Sequence, residues 1–144
     1  MNIEKTIKLP DHYRFTYNDI QPEEINDLRR KFGWNPDSEE RWRECLDESI
    51  AVGIRHSQEL VGINFIAGNS RHGVLCDFSI DPSHKDQGLA EAMISETLRL
   101  AKEKGMRYFY LHMSAPSPLR EEYLRLGFQD TEGSLFRNDT PKSQ

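Results

Sequence analysis

Long apolar runs are missing from this chain. No stretch approaches the ~18 apolar residues a membrane-spanning helix requires, so no membrane partner is expected. The opening segment MNIEKTIKLPDHY lacks an apolar secretory core, and a cytoplasmic location is expected. Cysteine is scarce. Cys45 and Cys76 each sit inside an apolar pattern and read as two buried, reduced thiols rather than a disulfide framework. The five histidines are scattered, and no Cys/His group has metal-ligand spacing, so no metal is expected. Positive charge is not in excess either. Nineteen Lys and Arg stand against 24 Asp and Glu, a net charge of -5, which argues against general nucleic-acid binding. Internal repeats, low-complexity tracts and linkers are absent, and 144 residues fit one domain spanning 1–144 with a frayed tail after about Asp139.

What is present is regular periodicity. Residues 13–18 (YRFTYN) alternate like a strand. A helix follows, with Pro22 in its first turn, Glu23 and Glu24 at its positive end, and Ile25, Leu28 and Phe32 on one face. GWNPD interrupts the pattern. Asp37 with Glu40 then reads as a capping box for a second helix bearing Trp42, Cys45 and Leu46. Three apolar runs come next: SIAVGIR, LVGINFIA and VLCDFSI. HSQE and GNSRHG separate them, which predicts an antiparallel meander. A long helix is predicted over about 88–104, with Gly105 as its C-cap. RYFYLHM reads as a strand, Ser117 and Pro118 as the start of a short helix bearing Leu119, Tyr123 and Leu126, and FQDTE with SLFRN as a closing hairpin. The sum is an α+β domain: a mixed, mostly antiparallel sheet of about six to seven strands, flanked by about four helices. One right-handed crossover runs from VLCDFSI through the long helix to RYFYLHM.

The junction DPSHKDQGLAEAM, residues 81–93, carries chemistry if any stretch does. A helix N-terminus offers N–H groups with no internal partner and a partial positive charge, which together suit an anion. Gly88 lets a ligand approach the backbone, Ala90 is small for the same purpose, and Lys85 adds a full charge. Taken alone, the junction reads first as an ordinary entry into a helix, because a single glycine is weak evidence.

Two motifs in combination shift that reading. IDPSHKDQGLA resembles the acetyl-coenzyme A loop of the GNAT superfamily of N-acetyltransferases. Ile80, Asp81 and Pro82 fall on its first part, and Lys85, Asp86, Gln87, Gly88, Leu89 and Ala90 on its second. EYLRLGF resembles the same family's second signature, placing Tyr123, Gly127 and Phe128 on it. Three positions depart from the family pattern. Lys85 replaces Arg or Gln, Glu122 replaces an apolar residue before the tyrosine, and Pro116 lies near the place of a cofactor-bonding Asn, with Ser114 or Ser117 as substitutes.

The resemblance implies an N-acetyltransferase in which an amine attacks the thioester of acetyl-coenzyme A directly. It implies that the backbone of Phe78, Ser79 and Ile80 pairs with the pantetheine arm. The N–H groups of Gln87, Gly88, Leu89 and Ala90 would hold the pyrophosphate, assisted by Lys85. Asp77 would orient the amine or relay its proton, with His112 as a second candidate base, and Tyr123 would protonate the departing thiolate. Phe32, Trp34 and Trp42 flank a loop that in this family lines the acceptor site. The expected acceptor is a small-molecule primary amine; a peptide or protein amine, or a non-catalytic acyl-coenzyme A binding module, are the alternatives. A homodimer is left open.

Overall fold

The alternation in YRFT forms a first strand, β1 (Tyr13–Thr16), in a computed structural model that describes residues 7–111 and 119–129. Helix α1 (Pro22–Arg30) begins with proline in its first turn, and the Glu24 carboxylate accepts the Gln21 N–H at 3.0 Å. Helix α2 (Glu39–Glu48) is capped one residue later than predicted. Ser38 accepts the Arg41 N–H at 3.2 Å, while Asp37 is engaged elsewhere, its N–H donating to the Asn26 side chain at 3.0 Å. The meander forms as β2 (Ile50–His56), β3 (Glu59–Gly68) and β4 (His72–Ile80). A short 3₁₀ turn (Pro82–His84) leads to α3 (Leu89–Glu103), then β5 (Tyr108–Tyr110) and α4 (Arg120–Arg125).

The sheet order is β1-β2-β3-β4-β5, antiparallel except for the parallel β4–β5 pair that closes the predicted crossover. Among the described residues the sheet has five strands rather than six or seven. The predicted hairpin after Gln129, the Ser117–Pro118 helix start, the end of RYFYLHM, and the tail lie outside the described residues.

Apolar residues pack on both faces of the sheet. Val52, Ile54 and Ile66 join Leu89, Met93, Ile94 and Leu98 of α3 on one face. Ala51, Ile63 and Phe65 join Ile25, Leu28 and Trp42 from α1 and α2 on the other. This double coverage explains why SIAVGIR and LVGINFIA are continuous apolar runs rather than alternating ones. Arg55 on β2 is buried and forked onto Glu24 of α1, at 2.5 and 2.9 Å, tying that helix to the sheet.

Candidate active site

The central irregularity lies on β4. Ile63 pairs with Ser79 and Phe65 with Cys76, so Asp77 and Phe78 together span the place opposite Asn64. That is a β-bulge, and Asp77 takes a left-handed φ of 54° to make it. β5 pairs only with His72, Gly73 and Val74, so among the described residues no strand covers the outer edge of β4 from Leu75 to Ile80. Among the described residues the outer backbone edge of Phe78, Ser79 and Ile80 is thus unpaired by any strand, a template for another extended chain.

That edge runs directly into the junction singled out from sequence. Asp81 turns the chain: its carboxylate accepts the Ser83 N–H at 2.9 Å and hydroxyl at 2.6 Å, and pairs with Lys31, the residue capping α1, at 2.7 Å. Burial works against the charge on Asp81, but the Lys31 and Ser83 bonds outweigh it and draw its pKa down to about 2. Beyond this anchor Lys85, Asp86, Gln87 and Gly88 are exposed, Ala90 is partly so, and Leu89 points into the core. Two left-handed residues on either side of Gln87 shape the loop: Asp86 at φ 66° and Gly88, the residue capping α3, at φ 74°. A side chain built on Gly88 would meet nothing within 4 Å, so the hollow above the helix start is open. Lys85 makes no ion pair among the described residues. The geometry suits a pyrophosphate: free first-turn N–H groups, an open approach over a glycine, and an uncommitted cation.

Tyr123 lies in the same cluster as Leu89 and Met93, with Phe78 and Ile80 packed against that cluster. The turn after α4 returns the Phe128 N–H to the Tyr123 carbonyl at 3.1 Å, and the Tyr123 and Phe128 rings meet edge to face at 5.4 Å. This is the physical use of the G-F in EYLRLGF: Gly127 turns at φ 93° and Phe128 braces the tyrosine. The Tyr123 hydroxyl makes no hydrogen bond among the described residues. Burial raises its pKa to about 12, so it keeps its proton at neutral pH. Glu122 pairs with Arg125 one turn further along the helix, at 3.6 Å, while Tyr123 belongs to the cluster.

On the opposite face the bulge meets α1, α2 and their connecting loop. Asp77 lies 3.8 Å from Arg29, and although 42% of its side chain is exposed, the surrounding protein raises its pKa. Burial is the main cause; Arg29 opposes it and Asp37 adds to it. The Arg29 guanidinium sits 5.4 Å from the Trp34 ring and 5.5 Å from the Trp42 ring. Trp42 is core, donating to Asn26 at 2.7 Å and stacking on Phe65. Trp34 is 44% exposed and stacks on Phe32 at 4.7 Å. Cys45 and Cys76 flank Asp77 and are partly rather than fully buried. Burial raises both thiols, Cys76 to about 11, and the Asp77 charge adds to it, so neither is a nucleophile at neutral pH.

The structure therefore gathers Asp77, Phe78, Ser79, Ile80 and the loop from Lys85 to Ala90 along one path, with Tyr123 beside it. Ser114 and His112 lie outside the described residues. Arg29 and the bulge were not singled out from sequence. An Arg four residues ahead of a Trp-containing loop is too common a pattern to notice, and a bulge is a property of two strands. Among the described residues no group of His, Cys, Asp and Glu has the arrangement to hold a metal ion, and no helix is long and apolar enough to cross a membrane.

A model of the acetyltransferase (GNAT) family matches residues 14–128. A search of curated proteins gives no significant match. Solved structures share the architecture. A GNAT family acetyltransferase from Streptococcus pneumoniae TIGR4 has a TM-score of 0.72 at 18% identity, covering 89% of this chain and 99% of that one. AAC(6')-Iy, solved in complex with the bisubstrate analog CoA-S-monomethyl-acetylneamine, has a TM-score of 0.72 at 20% identity, covering 91% and 100%. Glucosamine-6-phosphate N-acetyltransferase from Arabidopsis thaliana has a TM-score of 0.72 at 11% identity, covering 89% and 99%. At these identities the likeness is one of fold.

Proposed function

The chain belongs to the GNAT acetyltransferase family, and from that membership we propose that it transfers an acetyl group from acetyl-coenzyme A to the primary amine of a small molecule. The observation that carries this reading is the continuity of the β4 edge, uncovered among the described residues, with the Gly88-capped start of α3. One offers a rung for the amide-bearing pantetheine arm and the other a seat for the pyrophosphate, in the order in which a coenzyme A molecule presents them. The complex of AAC(6')-Iy with a coenzyme A bisubstrate analog supports the same reading.

Acetyl-coenzyme A, when bound, supplies an activated acetyl thioester. The chain's own residues do the rest. The backbone of Phe78, Ser79 and Ile80 holds the arm. The N–H groups of Gln87, Gly88, Leu89 and Ala90 hold the pyrophosphate, and Lys85 adds a compact, mobile charge. Asp77 faces the acceptor side, orients the amine and accepts the proton it must lose. Its raised pKa makes it a better proton acceptor than an ordinary aspartate. Tyr123 holds a proton for the departing sulfur. Positioning two reactants this way lowers the barrier by several kcal/mol without a covalent enzyme intermediate.

Calorimetric titration with acetyl-coenzyme A tests the seat. The wild-type chain is expected to bind, and Gly88→Val to lose binding, because the new side chain fills the hollow above the helix start. Val at a left-handed φ also costs roughly 1–2 kcal/mol of stability, so thermal unfolding of the variant serves as the folding control. A folded Gly88→Val protein that binds as well as wild type would remove the cradle from this account.

A further inference from the structure

Arg29 is placed where a simple amine acetyltransferase has no use for it. Its guanidinium is held between two tryptophan rings, and its Nε donates to the Asn35 carbonyl at 3.0 Å. Position and orientation are both fixed. Nη1 stands 3.8 Å from the Asp77 carboxylate, beyond direct hydrogen-bond range, and no other described residue accepts from Nη1 or Nη2. The donors on Nη1 and Nη2 are therefore unspent among the described residues, on the side of the guanidinium nearest Asp77.

A fixed cation beside the amine-orienting carboxylate repels a protonated amine and weakens the hold of Asp77 on it. The same cation becomes an asset when the acceptor carries a carboxylate next to the reacting nitrogen. We propose that the acceptor is a free amino acid, its carboxylate received by the Arg29 fork and its amine by Asp77. This rests on the acetyl-transfer reading and names its substrate class. The amine and carboxylate of an α-amino acid leave one carbon atom, a span that matches neighbouring Arg and Asp groups. The zwitterion is neutral overall, as is the Arg29–Asp77 pair that would receive it. A planar fork that presents two parallel donors suits a carboxylate better than any other common anion except phosphate.

The surroundings add a side-chain preference. Trp34 is 44% exposed and rests on Phe32, giving an apolar wall beside Arg29. An aromatic or large aliphatic side chain has a surface to cover there. Asp37, Glu44 and Glu48 also lie near this side, where they bear on the Cys45 thiol. They favour a polycation, but all three are exposed and screened by water, whereas the Arg29 side chain is only 22% exposed and nearer to Asp77.

The test uses ligands that differ only in the carboxylate. Phenylalanine and phenethylamine are titrated into the coenzyme A-saturated protein, following tryptophan fluorescence, since Trp34 and Trp42 flank the fork. Neamine serves as the polycationic competitor. Wild type is expected to bind phenylalanine about 10–100-fold more tightly than phenethylamine, the range of a charge-assisted pair. Arg29→Met should abolish that ratio, and Arg29→Lys should keep part of it, which separates loss of the anion contact from loss of the fold. Equal binding of the two ligands, or tighter binding of neamine, overturns the assignment. Release of coenzyme A thiol, measured with the same ligands, separates the two claims. A phenylalanine preference without thiol release keeps the Arg29 site and refutes the transfer reading. Thiol release as fast with phenethylamine as with phenylalanine refutes the Arg29 assignment and leaves transfer standing.

Discussion

Tyr123 is buried on a helix face that also bears Leu119 and Leu126, so its position alone is that of a core residue. Its proton is what distinguishes it. With a pKa raised to about 12 by burial, the phenol stays protonated throughout the neutral range, as the proposed acid must. Tyr123→Phe preserves the ring packing on Phe128 and removes only the proton. Turnover is expected to fall ~10²-fold or more while acetyl-coenzyme A affinity stays unchanged. A steady-state assay beside a calorimetric titration checks both, and undiminished turnover would return Tyr123 to the core. At this scale the sequence was informative where the constraint is local. Gly88 occupies a backbone conformation that other residues enter at a cost, so its identity reports its geometry. Arg29 was illegible for the opposite reason. Its setting is made by Trp34 and Trp42 closing on it from the loop and from α2, and nothing within the sequence of α1 records that.

Between residues and molecule stands β4. VLCDFSI read as a plain strand, and it is one as far as Cys76. The bulge at Asp77 escaped detection because a bulge is a mismatch with β3, and because Asp rather than Gly takes the positive φ. The capping of α2 was displaced for a related reason. Asp37 matched the capping pattern, but the Asn26 side chain claims its N–H across 11 residues, and Ser38 takes the cap. The turn after β4 can be tested by pH. The folded pKa of Asp81, about 2, lies below the ~3.9 of an unfolded aspartate, so its ion pair stabilises the fold above pH ~4. That contribution is lost as pH falls from about 4 to about 2. Asp81→Asn should therefore lower stability at neutral pH by roughly 1–3 kcal/mol and have little effect near pH 2. Denaturant unfolding at several pH values measures it. A deficit that persists unchanged at low pH would show that Asp81 acts through its shape and not its charge.

The molecule as a whole was the most legible level. Three apolar runs with turn signals between them dictate a meander, and a 15-residue amphipathic helix after them dictates a crossover. The unbroken apolar character of β2 and β3 follows from the helices on both faces, and the two core clusters lie on opposite sides of those strands. The candidate site was legible only through paired motifs, because the β4 edge, uncovered among the described residues, and the Arg29–Trp34 contact arise from strands and loops far apart in sequence. The account joins these parts into one path, from the cradle at Gly88, along the open edge, to Asp77 and Tyr123. Its most direct test is the joint appearance of free coenzyme A thiol and N-acetylated product, quantified together by mass spectrometry, when the protein is incubated with acetyl-coenzyme A and a panel of small primary amines and amino acids. The account predicts equal molar amounts of both, formed only in the presence of protein and sharply reduced by Tyr123→Phe. Binding of acetyl-coenzyme A without thiol or product for any acceptor would contradict it and leave a chain that holds the coenzyme without using it.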